Sequence, residues 1–276
     1  IVGGYFAHAT FETVEGQGWD TLAARGIAMR FAREKFFKQS NDTLAIFGEV
    51  NWRITDALRL TVGGRVTSDE KTAKINAAIG SLEDPFDNNA TAQAGARAVL
   101  NWLPIPGGRG KRSVTKFTPA VTLQYMLPDG QIYASYKEGF KSGGFDASIS
   151  RPAQITSGFE FDDETAKSYE IGAKVTLMDG RLRLTAAAFR TDFSDLQLTA
   201  LVPPATSLFL NAGGVRSQGL EFDGLLAVGG GVQVNLAAGY LDAKFKRYDG
   251  APCFTGQTVA EGCVAGAQNV VGRQVA

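Results

Sequence analysis

Residues 164–190 read ETAKSYEIGAKVTLMDGRLRLTAAAFR, and this stretch decides how the rest of the chain is interpreted. Every second residue of its first half is apolar: Tyr169, Ile171, Ala173, Val175 and Leu177. The residues between them include Glu170 and Lys174, and the same alternation resumes after Asp179-Gly180. Because period-two alternation is typical of strands and Asp-Gly is typical of tight turns, the stretch predicts a long β-hairpin with one apolar and one polar face.

The overall composition is that of a folded protein with no charge excess. Of the 276 residues, 44% are hydrophobic and 20% are charged. Lys and Arg total 28, as do Asp and Glu, so no basic surplus exists to attract nucleic acid. The 33 glycines against 9 prolines favour closely paired strands and turns over a disordered linker.

Hydropathy excludes a membrane-spanning helix but not membrane-spanning strands. No run of 18 or more apolar residues occurs. A transmembrane strand needs only about 10 alternating residues, half of which can be polar. The sequence begins at Ile1 with neither an initiator Met nor a signal peptide, so we expect it to be part of a longer protein.

Alternating segments recur along the chain and predict about nine strands. Short turns are expected near Thr55, Asp129, Asp179 and Gly230, and long connections after Ala9, Ile75, Lys141, Ala200 and Lys246. Residues 10–41 and 75–112 are both interpreted as long connections, and within the first, residues 22–37 fit a short helix, a strand extension or irregular structure. An up-and-down sheet would gather the short turns at one end, as outer-membrane barrels do. The predicted fold class is therefore all-β, an antiparallel up-and-down transmembrane β-barrel that is only partial here.

The cost of burying charge decides which face would meet lipid. A charged residue such as Arg181 or Arg183 near the bilayer midplane costs about 2 to 4 kcal/mol, so the apolar face is expected to meet lipid. Arg190 shares that face, but it lies about 23 Å from the turn, near the far interface. An aromatic girdle is predicted on the same face: Trp52, Tyr125, Tyr169 and Tyr240. The polar face is expected to line a wet lumen with these residues: Arg59, Arg65, Glu170, Lys174, Glu221 and Asp223. The alternative is that the aromatics belong to the core of a soluble sheet.

Several segments resemble the barrels of TonB-dependent outer-membrane receptors. Residues 133–145, YASYKEGFKSGGF, resemble a recurring rim segment of that family. Shorter stretches are similar as well: LAIFGEV at 44–50, LTVGGR at 60–65, SYEIGAK at 168–174 and GLEF at 219–222. These segments occur in the family's order, and the resemblance covers about residues 1–275.

The resemblance implies a 22-stranded barrel closed by an N-terminal plug, located in the outer membrane of Gram-negative bacteria. Such a receptor imports a scarce ligand, for example a ferric siderophore, with energy delivered by the TonB complex. Residues 1–276 would be an interior part of the barrel domain, without the plug, the TonB-binding segment or the closing C-terminal strand. Two alternatives stay open: a passive porin-like barrel, and a soluble all-β binding or adhesion module.

The two cysteines, Cys253 and Cys263, fall in one loop-like segment near the end of the chain. A disulfide closing so small a ring would contribute roughly 2 to 3 kcal/mol and would imply an oxidising compartment. The alternative is two free thiols. A zinc site is disfavoured because no histidine lies nearby. The segment is also similar to a disulfide-bearing loop of many TonB-dependent receptors.

No catalytic group of residues emerges, so the chain is not expected to be an enzyme. His8 is the only histidine, and the glycine-rich stretches at 63–64 and 229–231 do not form a phosphate-binding loop or another cofactor motif. Acidic residues near the predicted rim are interpreted as solvated loop residues in preference to a calcium site: Asp162, Asp163, Glu164, Asp192 and Asp195.

Ligand contacts are predicted among aromatic and basic residues at the outer rim, where an anionic ferric chelate would be attracted. The candidates are Tyr133, Lys137, Phe140, Lys141 and Phe145. The alternative is that these residues form the family's rim scaffold whatever the ligand.

Overall fold

The computed structural model describes residues 1–19, 31–202, 206–248, 250–254 and 256–275. Its elements in chain order are β1 (Val2–Trp19), β2 (Phe31–Arg53), β3 (Leu58–Gly80), α1 (Ala90–Leu100), β4 (Ile105–Leu127), β5 (Gly130–Lys141), β6 (Gly144–Phe145), α2 (Gln154–Ser157), β7 (Glu160–Phe161), β8 (Glu164–Leu177), β9 (Leu182–Ser194), β10 (Gln197–Val202), β11 (Thr206–Asn211), β12 (Gly214–Gly229), β13 (Val232–Arg247), β14 (Ala251–Pro252) and β15 (Ala267–Gln268). Neither helix is long or apolar enough to span a bilayer.

Nine strands form one antiparallel sheet in the order β1-β2-β3-β4-β5-β8-β9-β12-β13. Each strand pairs with the next large strand along the chain, which confirms the predicted up-and-down topology. Three two-stranded hairpins, β6-β7, β10-β11 and β14-β15, are set into or follow the long connections. Four short turns join β2 to β3, β4 to β5, β8 to β9 and β12 to β13 at one end of the sheet. The loops therefore segregate by length, as predicted.

Strands β2, β3 and β4 are much longer than the sequence indicated. Each has 23 residues, and we call these three strands the long-strand wall. The prediction of long connections over 10–41 and 75–112 is wrong for residues 10–19, 31–41, 75–80 and 105–112, which belong to strands. Residues 20–30 lie outside the described part of the chain, and with them part of the interpretation of 22–37. Residues 10–19, 38–41 and 105–112 are mostly polar or glycine. In 31–37 and 75–80 the buried apolar side chains, among them Phe31, Phe37 and Ile75, lie on the inner, lumen-side face, so the extensions do not continue the apolar outer face on which the prediction relied.

The connection between β9 and β12 also differs from its prediction. It begins directly after Ser194 and not after Ala200, because residues 197–202 form β10 of a separate hairpin with β11. This hairpin leaves the main sheet: Leu196 N–H donates to Gly213 O (3.3 Å) and Ala212 N–H donates to Leu196 O (2.6 Å), which closes its base. Separate hydrogen bonds from Phe209 N–H to Asp146 and from Gln197 Nε2 to Asp162 O hold the hairpin close to the loop between β5 and β8.

The two faces of the sheet differ in what covers them. On the face with Ile171, Leu220 and Leu236, which we call the outer face, these side chains are 63%, 58% and 60% exposed. No second layer covers this face within the described residues, so the soluble sandwich that would bury it is not the observed fold. Trp52 and Tyr125 lie on it near the short turns, and Tyr169 and Tyr240 lie further up their strands, as an aromatic girdle requires.

Arg190 marks the upper limit of the apolar band. It lies directly opposite Tyr169, and its Nη2 is 2.8 Å from Asp192 Oδ2. Asp192 Oδ1 also accepts a hydrogen bond from Arg216 Nε at 2.6 Å. Charged pairs therefore begin just above the aromatic residues of the outer face. Arg190 is paired with Asp192 at the edge of the apolar band, in which an isolated charge would be costly.

The other face, called the inner face, carries the packed core of the chain. It is the face of Glu170 and Lys174, and along the long-strand wall it is covered by loops. One cluster packs α1 through Ala92 and Ala96 against Phe31 and Ile79, and Asn89 caps the helix by accepting Ala92 N–H at 3.0 Å. A second cluster joins the loop 142–163 to β2, β3 and β4. The core thus lies beyond the membrane-thick part of the sheet, on its inner side.

Candidate ligand-binding site

The loop 142–163 lies across the inner face of the long-strand wall. Phe145, Ile149 and Phe159 are buried against Phe37 and Ile75 of β2 and β3. The close approach is allowed by Gly110 in β4, where any Cβ would overlap the Phe145 ring. The loop is therefore packed as part of the barrel wall.

Ion pairs anchor the end of this loop to β4. Arg112 Nη2 lies 2.6 Å from Asp163 Oδ1, and Arg112 Nη1 lies 2.8 Å from Glu160 Oε1. Asp163 Oδ1 also accepts Gly143 N–H at 2.9 Å. Burial opposes ionisation of Asp163, but the Gly143 N–H and the Arg112 guanidinium outweigh it and hold the pKa of this carboxyl below its usual range. The anchor is therefore a fully charged pair at neutral pH.

Lys71 of β3 anchors the beginning of the loop. Its Nζ donates to Ser142 Oγ at 2.6 Å and to Gly143 O at 2.7 Å. Ser142 Oγ in turn donates to Asp69 Oδ2 at 2.6 Å. Burial lowers the pKa of Lys71, although nearby Asp69 opposes the shift. The ammonium group is thus partly removed from water, and Ser142 and Gly143 accept its hydrogen bonds.

The β10-β11 hairpin joins the loop from the other side. Phe209 N–H donates to Asp146 Oδ2 at 3.0 Å, and the Phe209 ring stacks on Phe161 with 5.2 Å between centroids. Gln197 Nε2 donates to Asp162 O at 3.0 Å. The buried Oε1 of Gln197 has no partner among the described residues. Two long connections are therefore tied together above the inner face.

A cavity of about 480 Å³, which we call the inner-wall cavity, lies between this pair of connections and the wall. Its lining combines aromatic rings with two cations, one carboxylate and several polar groups: Phe11, Phe37, Lys71, Lys141, Asp146, Phe161, Gln197, Thr199 and Phe209, among others. The Asp146 carboxylate accepts the N–H groups of Ser148 and Phe209. Aromatic faces and ammonium groups together suit a ligand that has both planar apolar surface and negative charge. The cavity volume fits the lower range of small-molecule sites.

The structure separates the five predicted ligand contacts. Lys141 lines the inner-wall cavity, and Lys137 lies on the inner face outside it. Phe140 lies on the outer face, opposite Thr165, so it does not point toward the lumen. Phe145 also lines the inner-wall cavity, but it is only 5% exposed because its ring packs in the core. Tyr133 lies three residues from the start of β5, beside a short turn and far from the loop end, so its predicted place at the rim is wrong.

Sequence reasoning missed the cavity residues that come from distant segments. Phe37 lies in a strand extension that was interpreted as a loop, whereas Lys71 lies in β3, before the connection predicted from Ile75, and was not singled out. Phe161 and Phe209 reach the site through small hairpins. A detectable signal existed in β3, where Asp69, Lys71 and Ala73 continue the inner-face alternation of Arg65 and Thr67. Following the inner face through these polar residues would have pointed to Lys71.

The predicted lumen-facing residues do share the inner face. Tyr133 Oη donates to Glu170 Oε1 at 2.7 Å, and a second cavity of about 480 Å³ here is lined also by Lys174, Glu221 and Asp223. In the other half of the sheet, the Arg65 guanidinium lies 5.3 Å from the Tyr5 ring centroid and 5.7 Å from that of Phe47. Arg59 shares the face of Arg65 by its register with Gln124. This polar lining lies at the level of the apolar outer band.

The remaining predicted residues have defined partners. Cys253 and Cys263 form a disulfide. The rim acids make hydrogen bonds or ion pairs: Asp163 with Arg112, Asp192 with Arg190, Asp195 with Arg247, and Glu164 with the Gln197 N–H. Among the residues that the structure describes, no three His, Cys, Asp or Glu side chains cluster as metal ligands.

Known proteins resemble this chain in both sequence and architecture. The chain is 24% identical to the pesticin receptor of Yersinia enterocolitica over 183 residues, which cover 66% of this chain and 23% of that receptor. It is 35% identical to the metal-pseudopaline receptor CntO of Pseudomonas aeruginosa over 133 residues, which cover 46% of this chain and 17% of that receptor. The fold matches the ferric yersiniabactin uptake receptor FyuA from Yersinia pestis with a TM-score of 0.61 and 19% identity, over 88% of this chain and 33% of that one.

The curated relatives are much longer than this chain. It spans less than a quarter of the length of either curated relative, 23% and 17%. The family model described as "TonB dependent receptor-like, beta-barrel" matches residues 3–262. The chain therefore belongs to the TonB-dependent receptor β-barrel family and forms part of an outer-membrane barrel of Gram-negative bacteria.

Proposed function

We propose that the protein containing this chain is a TonB-dependent uptake receptor that imports a metal chelate, such as a ferric siderophore, and is not an enzyme. The observation that carries this proposal is the inner-wall cavity, with Lys71, Lys141 and stacked Phe161 and Phe209 at the loop end of the inner face. An anionic chelate with planar groups would find charge and aromatic surface there. The names of the relatives, receptors for metal-pseudopaline and for ferric yersiniabactin, support this ligand class.

The remaining parts of the transport cycle belong to this proposal as well. A plug that closes the barrel and a segment that contacts the TonB complex would lie outside residues 1–276, since the chain spans only 23% of the pesticin receptor's length. The inner-face residues Glu170, Lys174 and Arg65 would face that plug. Energy from TonB would then move a ligand that the inner-wall cavity has first captured.

The test is a titration of the full-length parent protein in detergent with a panel of ferric catecholates, hydroxamates and phenolates, followed by intrinsic fluorescence. We expect one class to bind, and Lys141→Gln and Phe209→Ala each to weaken it roughly tenfold, a loss of about 1.4 kcal/mol. Lys244→Gln is the matched control, because Lys244 lies on the outer face beside Asp242.

Two results would contradict the proposal. Equal affinity of the two cavity variants and the wild type for the chelate would show that the ligand does not bind in this cavity. Steady ion conductance in planar bilayers without binding of any chelate would instead favour the passive porin-like barrel.

A further inference from the structure

A buried carboxylate connects the two long connections that enclose the inner-wall cavity. Asp146, in the loop 142–163, lines this cavity but is only 1% exposed. The three hydrogen-bond donors that the described residues give it are all neutral: the Ser148 N–H, the Ser148 hydroxyl and the Phe209 N–H. A carboxylate buried without a cation is costly, and these hydrogen bonds offset the cost. The segments that they join show what the carboxylate does.

The two oxygen atoms of Asp146 accept hydrogen bonds from different segments. Oδ1 accepts the Ser148 N–H at 2.7 Å and the Ser148 hydroxyl at 2.6 Å, both within the same loop. Oδ2 accepts the Phe209 N–H of β11 at 3.0 Å. An amide here would have one acceptor oxygen and one NH₂ donor. Because Ser148 offers two donors and Phe209 only one, the amide oxygen would stay with Ser148, and the NH₂ group would face the Phe209 N–H. Only a carboxylate serves both segments.

The main chain of Phe209 needs a partner from outside its hairpin. β11 pairs only with β10, so the N–H groups on its other edge have no strand partner. Asp146 supplies the acceptor for one of them. Two residues earlier, Ser207 O lies 2.5 Å from the Ser148 hydroxyl oxygen. Asp146 and Ser148 thus dock the free edge of β11 onto the loop 142–163.

The loop side of this contact is fixed to the barrel. The Asp146 N–H donates to Phe159 O at 2.7 Å. Ile149 is fully buried, and its carbonyl oxygen accepts a hydrogen bond from Arg33 Nη2 of β2 at 3.1 Å. The Phe209 ring, by contrast, is 38% exposed. The carboxylate therefore belongs to the rigid partner, and Phe209 is the residue that it holds in place.

The effect of Asp146 on a bound anion has two parts of opposite sign. Its charge repels an anion in the cavity. Its hydrogen bond to Phe209 fixes the ring that stacks on Phe161, with 5.2 Å between centroids, and both rings line the cavity. Removing the charge alone would strengthen anion binding, whereas releasing the ring would weaken it. The direction of the change in affinity therefore separates the two parts.

We propose that Asp146 is a positioning residue of the inner-wall cavity, whose carboxylate holds the Phe209 main chain so that planar anionic ligands bind against the Phe161–Phe209 pair. This inference rests on the ligand site proposed above. Asp146 acts through Phe209 and not by contact with the ligand, because its own oxygen atoms are occupied by Ser148 and Phe209. The hydrogen bond to Phe209 thereby outweighs the unfavourable charge.

The test uses the full-length parent protein in detergent and naphthalenedisulfonate, a planar fluorescent dianion, as the probe. We expect Asp146→Asn to bind the probe roughly tenfold more weakly than the wild type, although the substitution removes a negative charge. Asp146→Ala, which offers no acceptor, should lose at least as much affinity. In a Phe209→Ala background, Asp146→Asn should cause no further loss, because the ring through which Asp146 acts is absent. A general defect of the loop would weaken binding in both backgrounds.

A second measurement needs no ligand. Hydrogen–deuterium exchange over residues 206–211 should be faster in Asp146→Asn, because the Phe209 N–H loses its acceptor, while exchange of the transmembrane strands should not change. Asp162→Asn is the matched control, since it removes the same charge from the same loop but from a side chain that is largely exposed. It should alter neither the probe affinity nor the exchange of 206–211.

Three outcomes would overturn the proposal. The first is equal or tighter binding of the probe by Asp146→Asn. The second is a further loss of affinity when Asp146→Asn is added to Phe209→Ala. The third is unchanged exchange over residues 206–211 in Asp146→Asn. Failure of the proposed ligand site is distinguishable, because Lys141→Gln and Phe209→Ala would then bind the probe as the wild type does, while the exchange measurement would still decide whether Asp146 holds Phe209.

Discussion

Arg112 and Asp163 join the long-strand wall to the loop that covers its inner face, with 2.6 Å between Nη2 and Oδ1. Both side chains are only 11% exposed, so water screens the pair weakly. The same carboxylate accepts the Gly143 N–H, which links both ends of the loop to one anchor. The geometry of the inner-wall cavity therefore depends on a contact outside its lining.

Removing the guanidinium should free the loop. Arg112→Ala leaves half-buried Asp163 with only the more distant Lys116, whose Nζ lies 3.7 Å from Oδ2, and we expect the loop 142–163 to be destabilised by about 2 kcal/mol relative to the rest of the barrel. Hydrogen–deuterium exchange of peptides from 142–163 would show this as faster exchange, with the transmembrane strands unchanged. Lys111→Ala, in the same strand but on the outer face, is the control. Unchanged exchange in Arg112→Ala would mean that apolar packing alone holds the loop.

Acid should also free the loop 142–163, as Arg112→Ala does. The pKa of Asp163 is lowered in the folded protein, so the folded state binds fewer protons than the unfolded one near this pKa, and its stability falls as the pH falls. The contribution is complete above the ordinary carboxyl pKa of about 3.9 and is lost as the pH drops through the lower folded value. Exchange of 142–163, corrected for its intrinsic pH dependence, should accelerate in that range.

Asp163→Asn should remove this pH dependence, whereas Asp162→Asn should not, because Asp162 is largely solvent-exposed and lies 3.5 Å from Arg112. Identical pH profiles for the wild type and Asp163→Asn would show that another group governs the acid response.

The barrel strands could be predicted because each carries an apolar outer face against a polar inner one. Ile171 and Glu170 show the principle: lipid on one side and a wet lumen on the other enforce period-two alternation. The strand extensions lack this constraint, since both faces of Lys38–Asn41 or Lys111–Arg112 meet polar surroundings. Their strand structure depends on ladder pairing with neighbours and on the loop cluster, neither of which is visible locally.

The candidate site was only partly predictable for a related reason. Lys141 follows a recognisable rim segment, but the cavity around it is assembled from β1, β2, β3 and two small hairpins. Contacts between residues as distant as Asp146 and Phe209 depend on how two long connections fold over one another. A segment that is polar and Gly-rich carries no signal for such an arrangement, so Phe145 was placed at an exposed rim when it is buried.

Close packing at Gly110 gives a third prediction. Any Cβ there would overlap the Phe145 ring, so Gly110→Ala should destabilise the loop cluster by about 1 to 3 kcal/mol. Gly139→Ala is a matched control, because Gly139 lies on the same face of the sheet with nothing within 4 Å of its added Cβ. Differential scanning calorimetry of the two variants would separate them. Equal thermal stability would mean that the Phe145 side chain moves aside at little cost.

The disulfide should stabilise its loop and not the barrel. Cys253 and Cys263 close a ring with a sequence separation of 10 residues, for which chain entropy predicts a contribution of roughly 2 to 3 kcal/mol. The Cys253→Ser/Cys263→Ser variant should show faster exchange over residues 250–272 and unchanged heat-modifiable migration. Loss of the folded gel band in this variant would show that the loop is needed for barrel assembly.

Adjacent positions in β9 test which face meets lipid. Ala186 and Ala187 point to opposite faces, outer and inner, about 12 to 15 Å above the short turn, near the middle of a membrane-thick band. Ala186→Arg should cost about 2 to 4 kcal/mol, because its charge would lie in hydrocarbon. Ala187→Arg adds the same side chain beside Glu221, which lies directly opposite it on the inner face, and should cost little. The yield of folded, heat-modifiable protein after refolding into lipid vesicles measures the difference. A lower yield for Ala187→Arg than for Ala186→Arg would reverse the assignment of the two faces.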